Sequence, residues 1–132
     1  MKTKNVLILV GFIALTALFT LPARAQSFDG IAGAIRSGNA SALAANFQGN
    51  VEITIKDASQ SYSKTQAEIV LKDFFAKNQP KAFSVAHEGT SPEGSKYFVG
   101  NLTTSGGTYR TYVYAKVNGA SLSIQEIRFE AQ

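Results

Sequence analysis

The chain has 132 residues, 45% of them hydrophobic and 17% charged, with no cysteine, no tryptophan and one histidine. That is enough for one globular domain, and it is neither a disordered nor a low-complexity composition. The lack of cysteine excludes a disulfide scaffold, an iron–sulfur site, a thiol nucleophile and a cysteine-based zinc site, and a lone histidine argues against a protein-built transition-metal site.

Residues 1–25 read as a secretory signal peptide. Lys2 and Lys4 make a basic start, Val6 to Phe19 is an uncharged apolar run of 14 residues, Pro22 ends it, and Ala23-Arg24-Ala25 is an A-x-A cleavage site before Gln26. A membrane span needs about 20 apolar residues, so cleavage is expected rather than anchoring. No cysteine follows the site, so no lipid anchor is expected either. The expectation is an exported protein, periplasmic or extracellular, whose domain occupies residues 26–132 and which keeps no stable membrane anchor. The whole chain carries a net charge of +4, but losing Lys2, Lys4 and Arg24 leaves ten basic against nine acidic residues, a net +1. That balance gives no electrostatic case for a nucleic-acid partner.

Along the mature chain, Ser27 and Asp29 are capping groups for a helix from about Phe28 to Ser37. Its apolar positions Phe28, Ile31, Ala32 and Ile35 follow helical spacing. Gly38-Asn39 breaks it, Ala40 to Phe47 reads as a second short helix, and Gly49-Asn50 ends that. Val51 to Ile55 alternates strictly, as a half-buried strand does, and after a turn at Asp57 to Gln60 the chain returns through Ser61-Tyr62. Ser63 to Gln66 is a capping box opening a helix to about Asn78, with Ala67, Val70, Leu71, Phe74 and Phe75 on its apolar side. Glu68–Lys72 and Asp73–Lys77 are i,i+4 pairs in the favourable order, and Pro80 stops the helix.

A meander follows. Ala82–Glu88, Lys96–Thr104, Thr108–Val117 and Ala120–Glu130 read as strands. They are joined by the Ser91-Pro92-Glu93-Gly94 turn, the Ser105-Gly106-Gly107 loop and the Asn118-Gly119 hairpin. In the last strand the apolar phase passes from Leu122 and Ile124 to Ile127 and Phe129, which predicts a β-bulge near Gln125-Glu126. The order α-α-β-β-α-β-β-β-β predicts an α+β fold, a half-cone of helices packed on one curved antiparallel sheet.

That order resembles the nuclear transport factor 2-like superfamily, within the cystatin-like group. The residues are similar to one family in particular, domain of unknown function 4783, found in small exported bacterial proteins. The resemblance rests on Tyr62-Ser63-Lys64-Thr65-Gln66-Ala67-Glu68 running into Leu71-Lys72-Asp73-Phe74-Phe75. It continues through His87-Glu88-Gly89-Thr90-Ser91 and Tyr97-Phe98-Val99-Gly100-Asn101-Leu102-Thr103-Thr104. It ends with Gly107-Thr108-Tyr109-Arg110-Thr111-Tyr112 and Ile124-Gln125-Glu126-Ile127-Arg128. It implies the fold and a bacterial source. It implies no activity, and this superfamily hosts isomerases, dehydratases and non-catalytic modules alike.

Catalytic hardware is sparse. His87, in phase with Phe83 and Val85, is the weak catalytic candidate, a general base facing a cone pocket; the simpler reading is a structural histidine at a strand end. Asp29, Asp57 and Asp73 read as capping, turn and surface groups. Glu126, Arg128 and Glu130 share a strand face, an acid pair whose intervening arginine points to a self-compensated solvated surface. Gly89-Thr90-Ser91-Pro92-Glu93 lacks the last glycine of a nucleophile elbow and lies between strands. Gly30 to Gly33 is a small-residue helix face, not a phosphate loop.

Arg110, Tyr112, Tyr114 and Lys116 share a face, and Arg110, Tyr112 and Tyr114 on it are suited to self-association, to contact with carbohydrate, or simply to packing on the outside of the sheet. Phe74, Phe75, Phe83, Tyr97 and Tyr112 are candidates to line or border a ligand site. The expected function is a non-catalytic module that binds a small molecule or a protein. The alternatives are a small isomerase or hydro-lyase with His87 as base, and a structural homodimer through the sheet. The candidate partners are a small apolar or aromatic ligand and a second copy of the chain; no cofactor and no metal site are expected.

Overall fold

The structure is a computed structural model and describes residues 27–132. The segment expected to be a signal peptide, with its expected cleavage site, lies outside the described residues.

The first helix, α1 (Asp29–Ser37), buries Ile31, Ala32 and Ile35 on the stripe that their spacing predicts. The Ser27 hydroxyl accepts from the Asp29 amide at 3.0 Å, and Gly38 closes the helix with φ +66°, a conformation that favours glycine. A Cβ at Gly38 would meet Pro80 Cδ at 3.1 Å, so this corner also packs tightly against the start of the third strand. Helix α2 (Ala40–Ala44) is capped by Asn39, whose side chain accepts from the Ala42 amide. It is shorter than the sequence suggests, because Phe47 belongs to strand β1 (Phe47–Ile55). The Asn46 carbonyl accepts from the Ile124 amide and Phe47 pairs with Ile124, which draws the chain out of the helix one turn early.

Lys56, at φ +57°, turns the chain into β2 (Ala58–Tyr62). Ser63 then caps α3 (Lys64–Lys77), its hydroxyl accepting from the Gln66 amide at 3.4 Å. Ala67, Leu71, Phe74 and Phe75 are buried as expected, and Asp73 and Lys77 form an exposed ion pair at 3.0 Å. Strands β3 (Pro80–Thr90), β4 (Ser95–Thr104), β5 (Gly107–Asn118) and β6 (Ser121–Ala131) complete the chain. The β3–β4 turn carries the Gly94 amide to Ser91 carbonyl bond at 3.0 Å that Pro92 and Gly94 predict.

The sheet is curved, unclosed and six-stranded, in the order β2-β1-β6-β5-β4-β3. It is antiparallel except where β1 lies parallel to β6, a long-range pairing that local patterns do not encode. The predicted bulge is present. Tyr114 pairs with Glu126 and Ala115 with Ile124, so Gln125 is the extra residue. It brings both apolar phases of β6 to one side, and Leu122, Ile124, Ile127 and Phe129 are all buried.

The helices cover the inner face of the sheet, and aromatic rings fill the space between. Phe74 stacks on Phe129 at 4.2 Å and meets the Tyr109 ring edge-on at 5.2 Å. Phe28 meets Phe98 at 4.7 Å, and Phe98 meets Phe83 at 6.0 Å. Such offset and edge-on pairs add to the gain from burial. At one end, Asn78 ties α3 to the sheet: its amide nitrogen donates to the Phe74 carbonyl, and its carbonyl accepts from the Tyr109 hydroxyl at 2.9 Å.

Candidate functional site

Alternation along the strands sorts side chains to two faces. On β4 and β5, Phe98, Leu102, Tyr109, Thr111, Val113 and Ala115 point inward and are buried. Their neighbours point outward, and the register aligns them in rows. Tyr97 pairs with Tyr114 and Tyr114 with Glu126; Val99 pairs with Tyr112 and Tyr112 with Arg128; Asn101 pairs with Arg110 and Arg110 with Glu130. Three of the chain's five tyrosines therefore share the outer face.

This division splits the expected ligand residues. Phe74, Phe75 and Phe83 are core residues, 3%, 4% and 6% exposed, engaged with one another's neighbours across the helix–sheet interface. Tyr97 and Tyr112 lie on the opposite side of the sheet, so the five do not meet in one site. The expected interface residues Arg110, Tyr112 and Tyr114 do share a face, as their spacing indicates, and Tyr97 joins them.

His87 is not where its phase with Phe83 and Val85 would place it. The register shifts between Val85 and His87, so that Val85 pairs with Gly100 while His87 pairs with Val99. Ala86 is the extra residue, and the bulge moves His87 to the outer face, where it is exposed. Its Nε2 lies 3.4 Å from the Tyr97 hydroxyl. A base facing into the cone is not what this geometry provides.

The outer face holds a shallow hollow of about 200 Å³ bordered by Tyr97, Tyr112, Tyr114, Glu126 and Arg128. The side chains of Phe98 and Val113 point to the core, so these residues supply backbone to its floor. Gly89 explains why there is room. A Cβ at Gly89 would collide with the Cζ and hydroxyl end of Tyr97, so that ring reaches across β3 while still bordering the hollow. Mid-strand glycine is the sequence signal for such a close approach.

Charge around the hollow is self-compensated. Arg128 Nε is 3.1 Å from Glu126 and its guanidinium is 3.8 Å from Glu130. The Arg110 guanidinium stands over the Tyr112 ring, 5.6 Å from its centroid. A second hollow, about 390 Å³, lies where the start of α1 meets β3 and β4, between Asp29, Glu88 and Lys96, with Phe28 as its aromatic residue. It is polar and open.

The family model for the domain of unknown function DUF4783 matches residues 28–130, nearly the whole described chain. The chain belongs to the DUF4783 family. Among solved structures, a DUF4783 protein from Bacteroides fragilis is 29% identical, with a TM-score of 0.74 over 79% of this chain and 97% of that one. Another, from Bacteroides uniformis, is 27% identical, with a TM-score of 0.73 over 78% of this chain and 94% of that one. A nuclear transport factor 2-like protein from Silicibacter pomeroyi, described as of unknown function, is 12% identical with a TM-score of 0.58, over 78% of this chain and 87% of that one. At that identity it shows the fold alone, and the DUF4783 chain thus has the nuclear transport factor 2-like fold that its element order predicts. No curated protein matches it.

Proposed function

We propose that this DUF4783 chain is a non-catalytic binding module of the cell envelope that works through the outer face of its sheet. The observation that carries the reading is the placement of Tyr97, Tyr112 and Tyr114 around one hollow, while the inner-face aromatics are spent on the core. Tyrosine and arginine dominate the centres of binding surfaces, because each offers apolar area together with a polar tip.

The test is native mass spectrometry of the mature domain purified from its own envelope, beside a Tyr112→Ala/Tyr114→Ala variant. A reproducible extra mass or a second copy, present on the parent and absent from the variant, supports the reading. The same added mass on both proteins overturns it and points to another surface.

A second reading uses the same face for a homodimer. Arg110, Lys116 and Arg128 stand against Glu52, Glu126 and Glu130, equal numbers of both charges, so a copy related by a two-fold axis meets no net repulsion. Sedimentation equilibrium across a hundredfold range of concentration separates a dimer from a monomer with bound ligand.

A further inference from the structure

We infer that the outer-face hollow is a subsite for one ring of a neutral polysaccharide; this rests on the outer face being the binding surface. Three features select that ligand class. The first is aromatic: Tyr97, Tyr112 and Tyr114 border the hollow, and the far end of the Tyr97 ring reaches across β3 to Gly89. A pyranose ring has one apolar face of C–H groups, and that face stacks on such rings.

The second feature is electrostatic. Across β1, β5 and β6 this face sets Arg110, Lys116 and Arg128 against Glu52, Glu126 and Glu130, with Arg128 paired to both of its strand neighbours, so it carries no net charge to select an anion or a cation. The same groups provide guanidinium donors, carboxylate acceptors and tyrosine hydroxyls that do both, which matches a ring of hydroxyl groups. The third feature is size. About 200 Å³ is below the usual 300–1,000 Å³ of an enclosed ligand pocket, so it suits one ring rather than a larger molecule. The hollow is open to the surface, so the rings on either side of the bound one continue over the neighbouring rows of the sheet.

The test is a titration of the isotope-labelled mature chain, residues 26–132, followed by amide chemical shifts. The probes are the hexamers of β-1,4-glucose, α-1,4-glucose and β-1,4-N-acetylglucosamine, with the monosaccharides as controls. The expected result is saturable shifts for at least one hexamer, centred on residues 97, 112–114 and 126–128. Its monosaccharide should bind at least tenfold more weakly, and Tyr112→Ala should weaken the hexamer at least tenfold while leaving the rest of the spectrum in place. A monosaccharide that binds as tightly as the hexamer overturns the polymer assignment. No shift at those residues with any hexamer overturns the inference. If the same amides then broaden with protein concentration alone, the face takes a second copy, and the outer-face reading survives without the sugar. If they neither shift nor broaden, and hydroxyl-radical footprinting finds Tyr97, Tyr112 and Tyr114 equally reactive in the cell and in isolation, that reading fails as well.

Discussion

The ring of Tyr97 occupies the space that a side chain at Gly89 would fill, across the β3–β4 pair on the outer face of the sheet. Three rungs along, the same device appears on the inner face. There the Phe83 ring lies over Gly100, and a Cβ at Gly100 would be 2.5 Å from its Cζ. One aromatic–glycine pair helps seal the core and the other makes room for the hollow.

These two glycines should respond differently to alanine. At Gly100 the new methyl meets the Ser84 carbonyl oxygen at 2.8 Å as well as a buried ring, and backbone cannot swing aside. Gly100→Ala is expected to cost about 1–3 kcal/mol, the usual range for overpacking. At Gly89 the obstacle is the far end of Tyr97, which is half-buried and free to rotate outward. Gly89→Ala should cost less than Gly100→Ala, yet push Tyr97 toward the hollow and weaken whatever binds there. Urea denaturation of both variants checks the order.

Asn78 is the joint between α3 and the sheet. Tyr109→Phe removes the hydroxyl that donates to Asn78, at an expected cost of about 1 kcal/mol. Asn78→Ala also removes the second, side-chain donor to the Phe74 carbonyl, which keeps its bond to the residue-78 amide, and should cost more. The two substitutions together should cost less than their sum, since they remove one shared bond; a double-mutant cycle in urea measures it.

The split of the aromatic residues between core and surface predicts a contrast in stability. Phe74→Ala takes away a ring stacked on Phe129 and edge-on to Tyr109, and should cost about 3–5 kcal/mol. Tyr112→Ala removes an outer-face cross-strand neighbour and should cost about 1 kcal/mol or less. Thermal unfolding followed by circular dichroism separates the two.

The bulge at Gln125 supports a further prediction. Deleting Gln125 leaves Leu122, Ile124, Ile127 and Phe129 in plain alternation, all still on the inner face. Deleting Arg128 instead turns Phe129 outward and Glu130 inward. The first deletion should retain cooperative unfolding, and the second should abolish it, as read by near-ultraviolet circular dichroism on heating.

The two bulges also show what the sequence could and could not reveal. In β6, apolar residues stand on both sides of Gln125, so their change of phase announces the extra residue. In β3, Ala86, His87, Glu88 and Gly89 follow Val85, and none of them is a large apolar residue that reports the new phase. The bulge at Ala86 is therefore silent in the sequence, and simple alternation sets His87 in phase with Phe83 and Val85 rather than opposite them. The helices, the turns and the element order were legible because caps, glycines and periodicity act locally. The parallel contact of β1 with β6 and the early end of α2 were not, because both depend on Ile124 meeting Phe47 and Asn46 from the far end of the chain. Arg110, Tyr112 and Tyr114 were placed together correctly by simple alternation, whereas Tyr97 joined them only through the β4–β5 register.

Hydroxyl-radical footprinting of the tyrosines, in intact cells and in the purified domain, tests the outer-face account most directly. Tyr109, 4% exposed in the core, and Tyr62, at the other edge of the sheet, are internal controls. The account predicts that Tyr97, Tyr112 and Tyr114 react in the isolated monomer and are protected together in the cell, while Tyr62 and Tyr109 react alike in both. Equal reactivity of the three outer-face tyrosines in the cell and in isolation would contradict it.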